Sequence, residues 1–231
     1  GPVENRIRLL LLPGLTGGNS LFAPLLAQLG DLPCSVLELP HHGPQGHDNL
    51  AKALGDQLGE TPFVLLGESF SGPLAFRLAL RHPSAMKGLI LAASFLSPPH
   101  PLLPLACRLP IPANLPAPAW LLRWLCIEDA APAVLQLLEN EIRHLSPQLV
   151  RQRLQAMARL QSPPANLSLP TLHLWPTRDR LVSRAAAASI GVHCRDLRVS
   201  RIEGPHFLLQ SRPRDCAQAI QQFVTELNET A

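Results

Sequence analysis

Short runs of apolar residues alternate with amphipathic stretches along most of the chain, a pattern typical of buried strands that alternate with helices. This alternation predicts βαβ units with a parallel sheet and right-handed crossovers. The predicted strands are Ile7–Leu12, Ser35–Leu39, Phe63–Leu66, Gly88–Ala93, Thr171–Trp175 and Asp196–Ile202. The helices predicted between and after them are Leu21–Leu29, Asp48–Leu58, Pro73–Leu80, Arg184–Ile190 and Pro213–Leu227.

The alternation is interrupted in the middle of the chain. Pro98–Pro118 carries eight prolines among leucines and alanines, a composition that a buried central strand does not tolerate. The helices predicted after it are Trp120–Ile127, Pro132–Leu145 and Pro147–Leu160. We therefore expect a core of residues 3–96 and 167–231 and a helical, proline-rich insertion at 97–166. The insertion would lie over the sheet as a cap or lid, or form an extra helical subdomain without a gating role.

The stretch FVLLGESFSGPLAFRLAL, residues 63–80, reads as a strand, a tight turn of small residues and a helix. Ser69 is at the apex of the turn, a geometry that lifts its hydroxyl clear of the sheet and directs a helix N-terminus at developing negative charge. Gly67 and Ser71 flank it where strand and helix approach closely. The usual pattern is G-x-S-x-G, whereas this chain has G-x-S-x-S-G, and alone the turn is equally consistent with an ordinary strand-to-helix connection.

Three further loops follow predicted strands at the carboxyl edge of the sheet, where open α/β sheets place their sites. Gly14–Gly18 follows the first strand, Asp179 follows the fifth and His206 follows the sixth. The chain order is therefore serine, aspartate, histidine. This is the order of the catalytic triad in α/β-hydrolases.

Taken together, these motifs resemble the α/β-hydrolase superfamily. They are the PGLTGG loop, the GESFSG turn, the insertion after the fourth strand, the TRDRLVS loop and the GPHF loop. The resemblance implies an α/β fold with a six-stranded, mainly parallel sheet in the chain order 2-1-3-4-5-6, flanked by helices and carrying a helical cap. Chain length and insertion are similar to the capped esterases that include the pimeloyl-carrier-protein methyl ester esterases. The chain departs from the family in Ser71 and in lacking the strands that usually precede the first one here.

The resemblance also implies roles for individual residues. Ser69 would be the nucleophile, His206 the base that takes its proton, and Asp179 the group that orients the imidazole. The backbone N–H groups of Leu15 and Phe70 would form the oxyanion hole. Candidates for an apolar acyl pocket beneath the cap are Leu15, Phe70, Phe95, Trp120 and Trp124, for which plain packing is the alternative.

Other polar residues give no reason to predict a metal or a cofactor. Four potential metal ligands in and after the loop beyond the second strand are His41, His42, His47 and Asp48. Their spacing matches no recognised metal site, and a polar loop beside the sheet explains them better. His173, within a strand, is expected to be structural, and Glu68 is expected to be solvated or to lie behind the site. The chain has no dinucleotide fingerprint or phosphate loop.

Charge and cysteine content narrow the class of protein further. The chain has 231 residues, a net charge of +3 and no lysine or arginine runs, which gives no reason to expect nucleic acid binding. Its five cysteines are widely spaced and odd in number, which is typical of reduced thiols in a cytosolic protein. The apolar run at Arg6–Leu12 is too short for a signal peptide, and no run reaches membrane-spanning length. We expect a cytoplasmic protein without a membrane span.

We predict a cofactor-independent serine hydrolase that cleaves small to medium carboxylic esters through an acyl-enzyme. One alternative is an esterase or thioesterase that acts on a substrate bound to an acidic acyl carrier protein, and lactone hydrolysis is chemically adjacent. Four arginines of the insertion could bind such a carrier, or could simply be the charged residues of a solvated helix face. They are Arg143, Arg151, Arg153 and Arg159. An alternative from another class is a non-catalytic ligand-binding protein of the same fold, against which the complete Ser–Asp–His set argues.

Overall fold

The computed structural model describes residues 6–110 and 117–230. Within these residues six strands form one sheet in the order β2-β1-β3-β4-β5-β6, which confirms the predicted topology. Each neighbouring pair is parallel. The strands are β1 (Arg8–Leu12), β2 (Cys34–Val36), β3 (Phe63–Glu68), β4 (Met86–Ala92), β5 (Thr171–Arg178) and β6 (Leu197–Pro205).

The central strands are buried on both faces, which is why they read as continuous apolar runs. All residues of β3 are buried, and β1 pairs with it from Arg8 opposite Phe63 to Leu12 opposite Gly67. Successive residues of β1 contribute to opposite sides of the sheet, as the period of two requires. Leu10 belongs to the apolar cluster that contains Phe76, and Leu11 to the cluster that contains Phe223.

Helices cover both faces and the carboxyl edge of the sheet. The α-helices are α1 (Ala23–Leu26), α2 (His47–Leu54), α3 (Gly72–Ala79), α4 (Leu103–Arg108), α5 (Ala119–Leu122), α6 (Pro132–His144), α7 (Pro147–Ala158), α8 (Arg184–His193), α9 (Leu208–Ser211) and α10 (Pro213–Thr230). Short 3-10 helices occur at Ser20–Phe22, Gly55–Gln57 and Ser69–Ser71, and a π-helical turn, Arg123–Ile127, follows α5. No helix in the described ranges has the length and apolar character needed to cross a membrane.

Several predicted boundaries are wrong. The helix expected over Leu21–Leu29 is a 3-10 turn followed by the four-residue α1, and β2 ends before the predicted Leu39. The proline-rich stretch contains a helix, α4, because Pro104 lies in the first turn, where no backbone N–H is needed. Residues 111–116 of that stretch lie outside the described residues. The last two strands extend further than predicted, so that Asp179 and His206 follow them directly.

The described residues of 97–166, called the helical segment below, have a small apolar cluster of their own. Its members are Cys126, Ile127, Ala130, Val134 and Leu138. Phe207, from the loop after β6, packs against this cluster and donates its backbone N–H to the Cys126 carbonyl at 2.9 Å. The helical segment therefore lies against loops at the carboxyl edge of the sheet. Its division from the core as a cap stays a prediction.

Candidate active site

Ser69 is held in a strained turn directly after β3. Its φ is +49°, in the left-handed region that non-glycine residues rarely adopt. The turn is tight because α3 packs directly on the strand. A Cβ on Gly67 would lie 2.9 Å from Ala75 Cβ, and a Cβ on Gly72 would overlap the hydroxyl of Ser94. Glycine is the residue that fits at both positions.

Two buried serines hold this turn in place. Ser94, just beyond β4, donates its hydroxyl to the Ser69 carbonyl at 2.6 Å. Ser71 donates its hydroxyl to the carbonyl of Pro13, in the loop after β1. The residue that departs from the usual glycine pattern thus ties the turn to the neighbouring glycine-rich loop. Ser94 was not among the predicted site residues, although its position after the carboxyl end of a predicted strand could have indicated it.

Ser69, His206 and Asp179 come together at the carboxyl edge of the sheet. Ser69 Oγ lies 3.0 Å from His206 Nε2, and His206 Nδ1–H donates to Asp179 Oδ2 at 2.8 Å. Both the histidine and the aspartate are buried. With Nδ1 protonated, Nε2 carries the lone pair that can accept the serine proton. The arrangement can therefore generate an alkoxide-like nucleophile at Ser69.

Asp179 is held by hydrogen bonds within its own loop, and the two arginines beside it in sequence pair with a different carboxylate. Asp179 Oδ1 accepts the backbone N–H groups of Leu181 and Val182, each at 2.9 Å. The flanking arginines both pair with one carboxylate of the helical segment, Glu128. Arg178 Nη2 and Arg180 Nη1 each lie 2.7 Å from a Glu128 oxygen. Asp179 is therefore available to His206 and is not a surface ion-pair residue.

The pKa values of the pair follow from burial and mutual attraction. Burial acts to raise the pKa of Asp179, but the charge and hydrogen bond of His206, with the loop N–H groups, outweigh it and hold the pKa below its ordinary value. Burial acts to lower the pKa of His206, but the Asp179 charge and hydrogen bond, with a smaller contribution from Glu68, raise it. A histidine cation is thus stabilised where one forms when Ser69 is deprotonated.

Glu68 is not solvated, contrary to one of the two predicted alternatives. Its side chain is 5% exposed, and Oε2 accepts a hydrogen bond from Gln210 Nε2 of α9 at 3.1 Å. Burial raises its pKa to about 7, with the Gln210 hydrogen bond and the His206 charge acting in the opposite direction. A carboxyl group whose pKa is raised to about 7 therefore lies beside Ser69. Gln210 could not be found from the sequence, because α9 contacts β3 only in the folded chain.

The two predicted oxyanion donors lie in the two loops that meet at Ser69. Leu15 is in the loop after β1, and a methyl group built on the adjacent Gly14 would lie 3.7 Å from Ser69 Cβ. Phe70 follows Ser69 in the 3-10 turn that leads into α3. Its side chain points away from the site, fully buried, with its ring 4.6 Å from that of His47. Only its backbone N–H could serve the reaction.

An apolar cavity of about 330 Å³ opens beside Ser69 and His206. The core supplies part of its wall, including Leu15, Phe95 and Glu68. The helical segment supplies the rest, with Leu103, Cys126, Leu138, Ile142, Leu154 and Met157 among its lining residues. The prediction of an acyl-pocket role is wrong for Phe70, Trp120 and Trp124, which do not line the cavity. The two tryptophans are 70% and 54% exposed, and Arg180 covers one face of Trp124.

The four potential metal ligands are not brought together. Buried His47 has Nε2 2.9 Å from the Phe70 carbonyl, and burial lowers its pKa to about 4, whereas Asp48 pairs with Arg77 at 2.8 Å. His41 and His42 are exposed. In residues 6–110 and 117–230 no group of three or more His, Cys, Asp or Glu side chains could hold a metal ion. His173 is buried in β5 and stacked on Trp175, as expected for a structural residue.

Known proteins with similar sequences identify the family of this chain, and solved structures with a similar shape identify its fold. A family model described as serine aminopeptidase, S33 matches residues 47–204. A pimeloyl-[acyl-carrier protein] methyl ester esterase from Neisseria meningitidis is 34% identical over 95 residues, which is 38% of this chain and 37% of that protein.

Among solved structures, an enol-lactonase from Burkholderia xenovorans superimposes with a TM-score of 0.80 at 17% identity, covering 97% of this chain and 94% of that one. A thermophilic esterase from Thermogutta terrifontis gives a TM-score of 0.78 at 22% identity, covering 96% of this chain and 90% of that one. At these identities the structural likeness establishes the fold.

Proposed function

Because this chain is an α/β-hydrolase and belongs to the hydrolase family described as serine aminopeptidase, S33, we propose that it hydrolyses carboxylic esters through an acyl-enzyme formed on Ser69. The observation that carries the proposal is the hydrogen-bonded chain from Ser69 Oγ to His206 at 3.0 Å and from His206 to Asp179 at 2.8 Å. Ser69 and His206 line an apolar cavity, in which an acyl group can be placed against the serine.

The reaction would proceed in two halves. Ser69 Oγ attacks the ester carbonyl carbon while its proton passes to His206 Nε2, and the carbonyl oxygen becomes an oxyanion. The N–H groups of Leu15 and Phe70 would stabilise that charge, each donor contributing about 3 kcal/mol in the transition state. The tetrahedral intermediate then collapses, and the leaving alcohol takes the proton from the imidazolium. Water attacks the acyl-enzyme by the same route and releases the acid.

The cavity favours an uncharged acyl group of small to medium size. Its volume, about 330 Å³, is near the lower end of ligand-binding pockets. Its walls are mainly aliphatic and aromatic carbon, and Glu68 contributes a carboxyl group to the lining. An acyl chain that carries its own carboxylate would bury that charge against apolar walls, which is energetically unfavourable.

In this proposal the helical segment, within residues 97–166, acts as a cap over the carboxyl edge of the sheet. Side chains from α4, α6 and α7 form one side of the cavity, so their position fixes how much acyl chain can enter. The Glu128 ion pairs with Arg178 and Arg180 and the backbone bond from Phe207 to the Cys126 carbonyl hold this side against the catalytic loops. Removing the cap contacts would open the cavity to water.

A second candidate is hydrolysis of an ester or thioester carried by an acidic acyl carrier protein. The relative named above as a methyl ester esterase acts on such a carrier-linked substrate by its name. Three arginines of the helical segment are exposed here: Arg143 in α6, Arg151 in α7 and Arg159 directly after α7. Exposed cations beside a pocket would attract an acidic partner and raise its association rate. A carrier-bound acyl methyl ester tested beside its free counterpart distinguishes this function, since only a carrier-dependent enzyme prefers the former.

The proposal is tested by hydrolysis of p-nitrophenyl esters from acetate to palmitate, with Ser69→Ala as the matched inactive variant. We expect turnover by the parent with an optimum at short or medium chains, and none above background by the variant. Equal turnover by both proteins would refute the assignment of Ser69. A parent that turns over no ester and is not modified by a fluorophosphonate would favour the alternative of a non-catalytic ligand-binding protein.

A further inference from the structure

Arg153 is a buried cation in the middle of α7. Its side chain is 1% exposed, although it lies among residues whose pattern suggested a solvated helix face. Its guanidinium makes three hydrogen bonds, all across to the core. Nε donates to Gln45 Oε1 at 3.1 Å, Nη1 to the Leu15 carbonyl at 2.9 Å, and Nη2 to the Pro40 carbonyl at 3.2 Å.

All three partners are neutral. Among the described residues no carboxylate lies within 4.0 Å of the Arg153 guanidinium. Burial lowers its pKa to about 10. An unpaired buried charge is expensive, and an apolar side chain of similar volume would stabilise a simple packing site at least as well. The arrangement therefore favours a role that depends on the directed donors of the guanidinium.

The loop that Arg153 contacts is rich in glycine. Gly14, Gly17 and Gly18 lie within five residues, and Gly17 has a φ of +75°. A Cβ on Gly17 would lie 2.7 Å from Arg153 Nη1, so backbone and guanidinium are in close contact. Glu141 of α6 accepts a hydrogen bond from Ser20 at the other end of the loop. Two helices of the helical segment thus hold the glycine-rich loop from one side.

We propose that Arg153 is a positioning residue. Its hydrogen bond to the Leu15 carbonyl fixes the backbone of Leu15, so that the N–H group of the same residue stays directed at the oxyanion. The inference rests on the proposed function. It also links the seating of α7 to catalysis, because the same helix supplies Leu154 and Met157 to the cavity. An acyl group that holds α7 in this position through those contacts would therefore also keep the Leu15 N–H directed at the oxyanion.

The test compares Arg153→Met with the parent and with Gln148→Met, at an exposed residue of the same helix. With protein normalised by active-site titration, we expect kcat to fall about 100-fold in Arg153→Met, because a small displacement of a reacting group has an effect of that size. KM should change less than about threefold, since the acyl pocket itself is kept. Affinity for hexylboronic acid, which forms a tetrahedral adduct with the serine, should fall in parallel with kcat. Gln148→Met should match the parent in all three.

Two further measurements separate positioning from general destabilisation. Arg153→Lys keeps the charge but not the three-way fork of donors, and it should recover only part of kcat. Hydrogen exchange of the peptide that contains Leu15 should be faster in Arg153→Met than in Gln148→Met, without a general increase elsewhere. Unchanged exchange at this peptide, or a kcat of Arg153→Met equal to that of Gln148→Met, would overturn the inference. Absence of ester turnover by the parent would refute the proposed function instead, and the exchange measurement would still decide whether Arg153 positions the loop.

Discussion

Replacing Glu68 by glutamine is expected to stabilise the folded chain at alkaline pH and to have little effect at acid pH. The carboxyl is buried between β3 and α9, with Gln210 Nε2 3.1 Å from its Oε2. Burial, partly opposed by that hydrogen bond and by the charge of His206, raises its pKa from an ordinary 4.5 to about 7. Glutamine has nearly the same shape, can accept the same hydrogen bond, and does not ionise.

The sign and size of the effect follow from proton binding. Between pH 4.5 and about 7 the folded chain holds a proton on Glu68 that the unfolded chain has lost. Its stability therefore falls as the pH rises through that window. The interval corresponds to about 3 kcal/mol, at about 1.4 kcal/mol for each pH unit. The glutamine variant lacks this loss, whereas all other titrations are common to both proteins and cancel in their difference.

The assay is urea unfolding of both proteins at about pH 5 and about pH 8.5. Between the two, the stability of Glu68→Gln relative to the parent should rise by about 2–3 kcal/mol. Glu60→Gln, at an exposed carboxylate, is the matched control and should track the parent at both pH values. If the difference between Glu68→Gln and the parent is the same at both pH values, the carboxyl is not desolvated and the reasoning is wrong.

Three further results are expected. Asp179→Asn should lower kcat about 10,000-fold with little change in thermal unfolding. The amide oxygen would keep the hydrogen bonds from the Leu181 and Val182 N–H groups, so that its NH2 group would donate to His206 Nδ1 and favour the wrong tautomer. Retention of more than a tenth of the activity would argue against a role for Asp179. As the pH rises, kcat/KM should increase with an apparent pKa above 6.5, the ordinary pKa of histidine, because His206 must be neutral to act as the base and its pKa is raised. An apparent pKa well below 6.5 would contradict the pairing of His206 with Asp179. Gly72→Ala should lower the free energy of unfolding in urea by about 1–3 kcal/mol or more, since its Cβ would overlap the Ser94 hydroxyl. The control, Gly191→Ala at an exposed position of α8, should be neutral or stabilising. Equal effects of the two substitutions would show that the turn at Ser69 can relax.

The sheet could be predicted because its strands are buried on both faces. β1 and β3 are uninterrupted apolar runs bounded by glycine and proline, and their parallel pairing leaves few topologies open. The positions of Ser69, Asp179 and His206 followed from the same fact, since the carboxyl ends of parallel strands meet at one edge. Strand ends were less certain, because β5 and β6 continue through residues that are not apolar.

Residues whose environment depends on packing between distant elements could not be predicted. Trp120 and Trp124 are apolar and close to the expected cap, but which face of so short a helix meets the core is set by tertiary contacts. The same holds for Glu68, which is enclosed by α9, and for Arg153, which is charged yet faces the glycine-rich loop. A polar residue within a helix normally indicates the solvated face.

The central claim is that Ser69 is a nucleophile activated by His206, and labelling with a fluorophosphonate tests it most directly. Parent, His206→Ala and Ser69→Ala are each treated with the reagent, digested, and the modified peptide identified by mass spectrometry. We expect one adduct on Ser69 in the parent, labelling that is slower by at least about 1,000-fold in His206→Ala, and no adduct in Ser69→Ala. An adduct on another serine, or equal labelling rates in the parent and in His206→Ala, would contradict it.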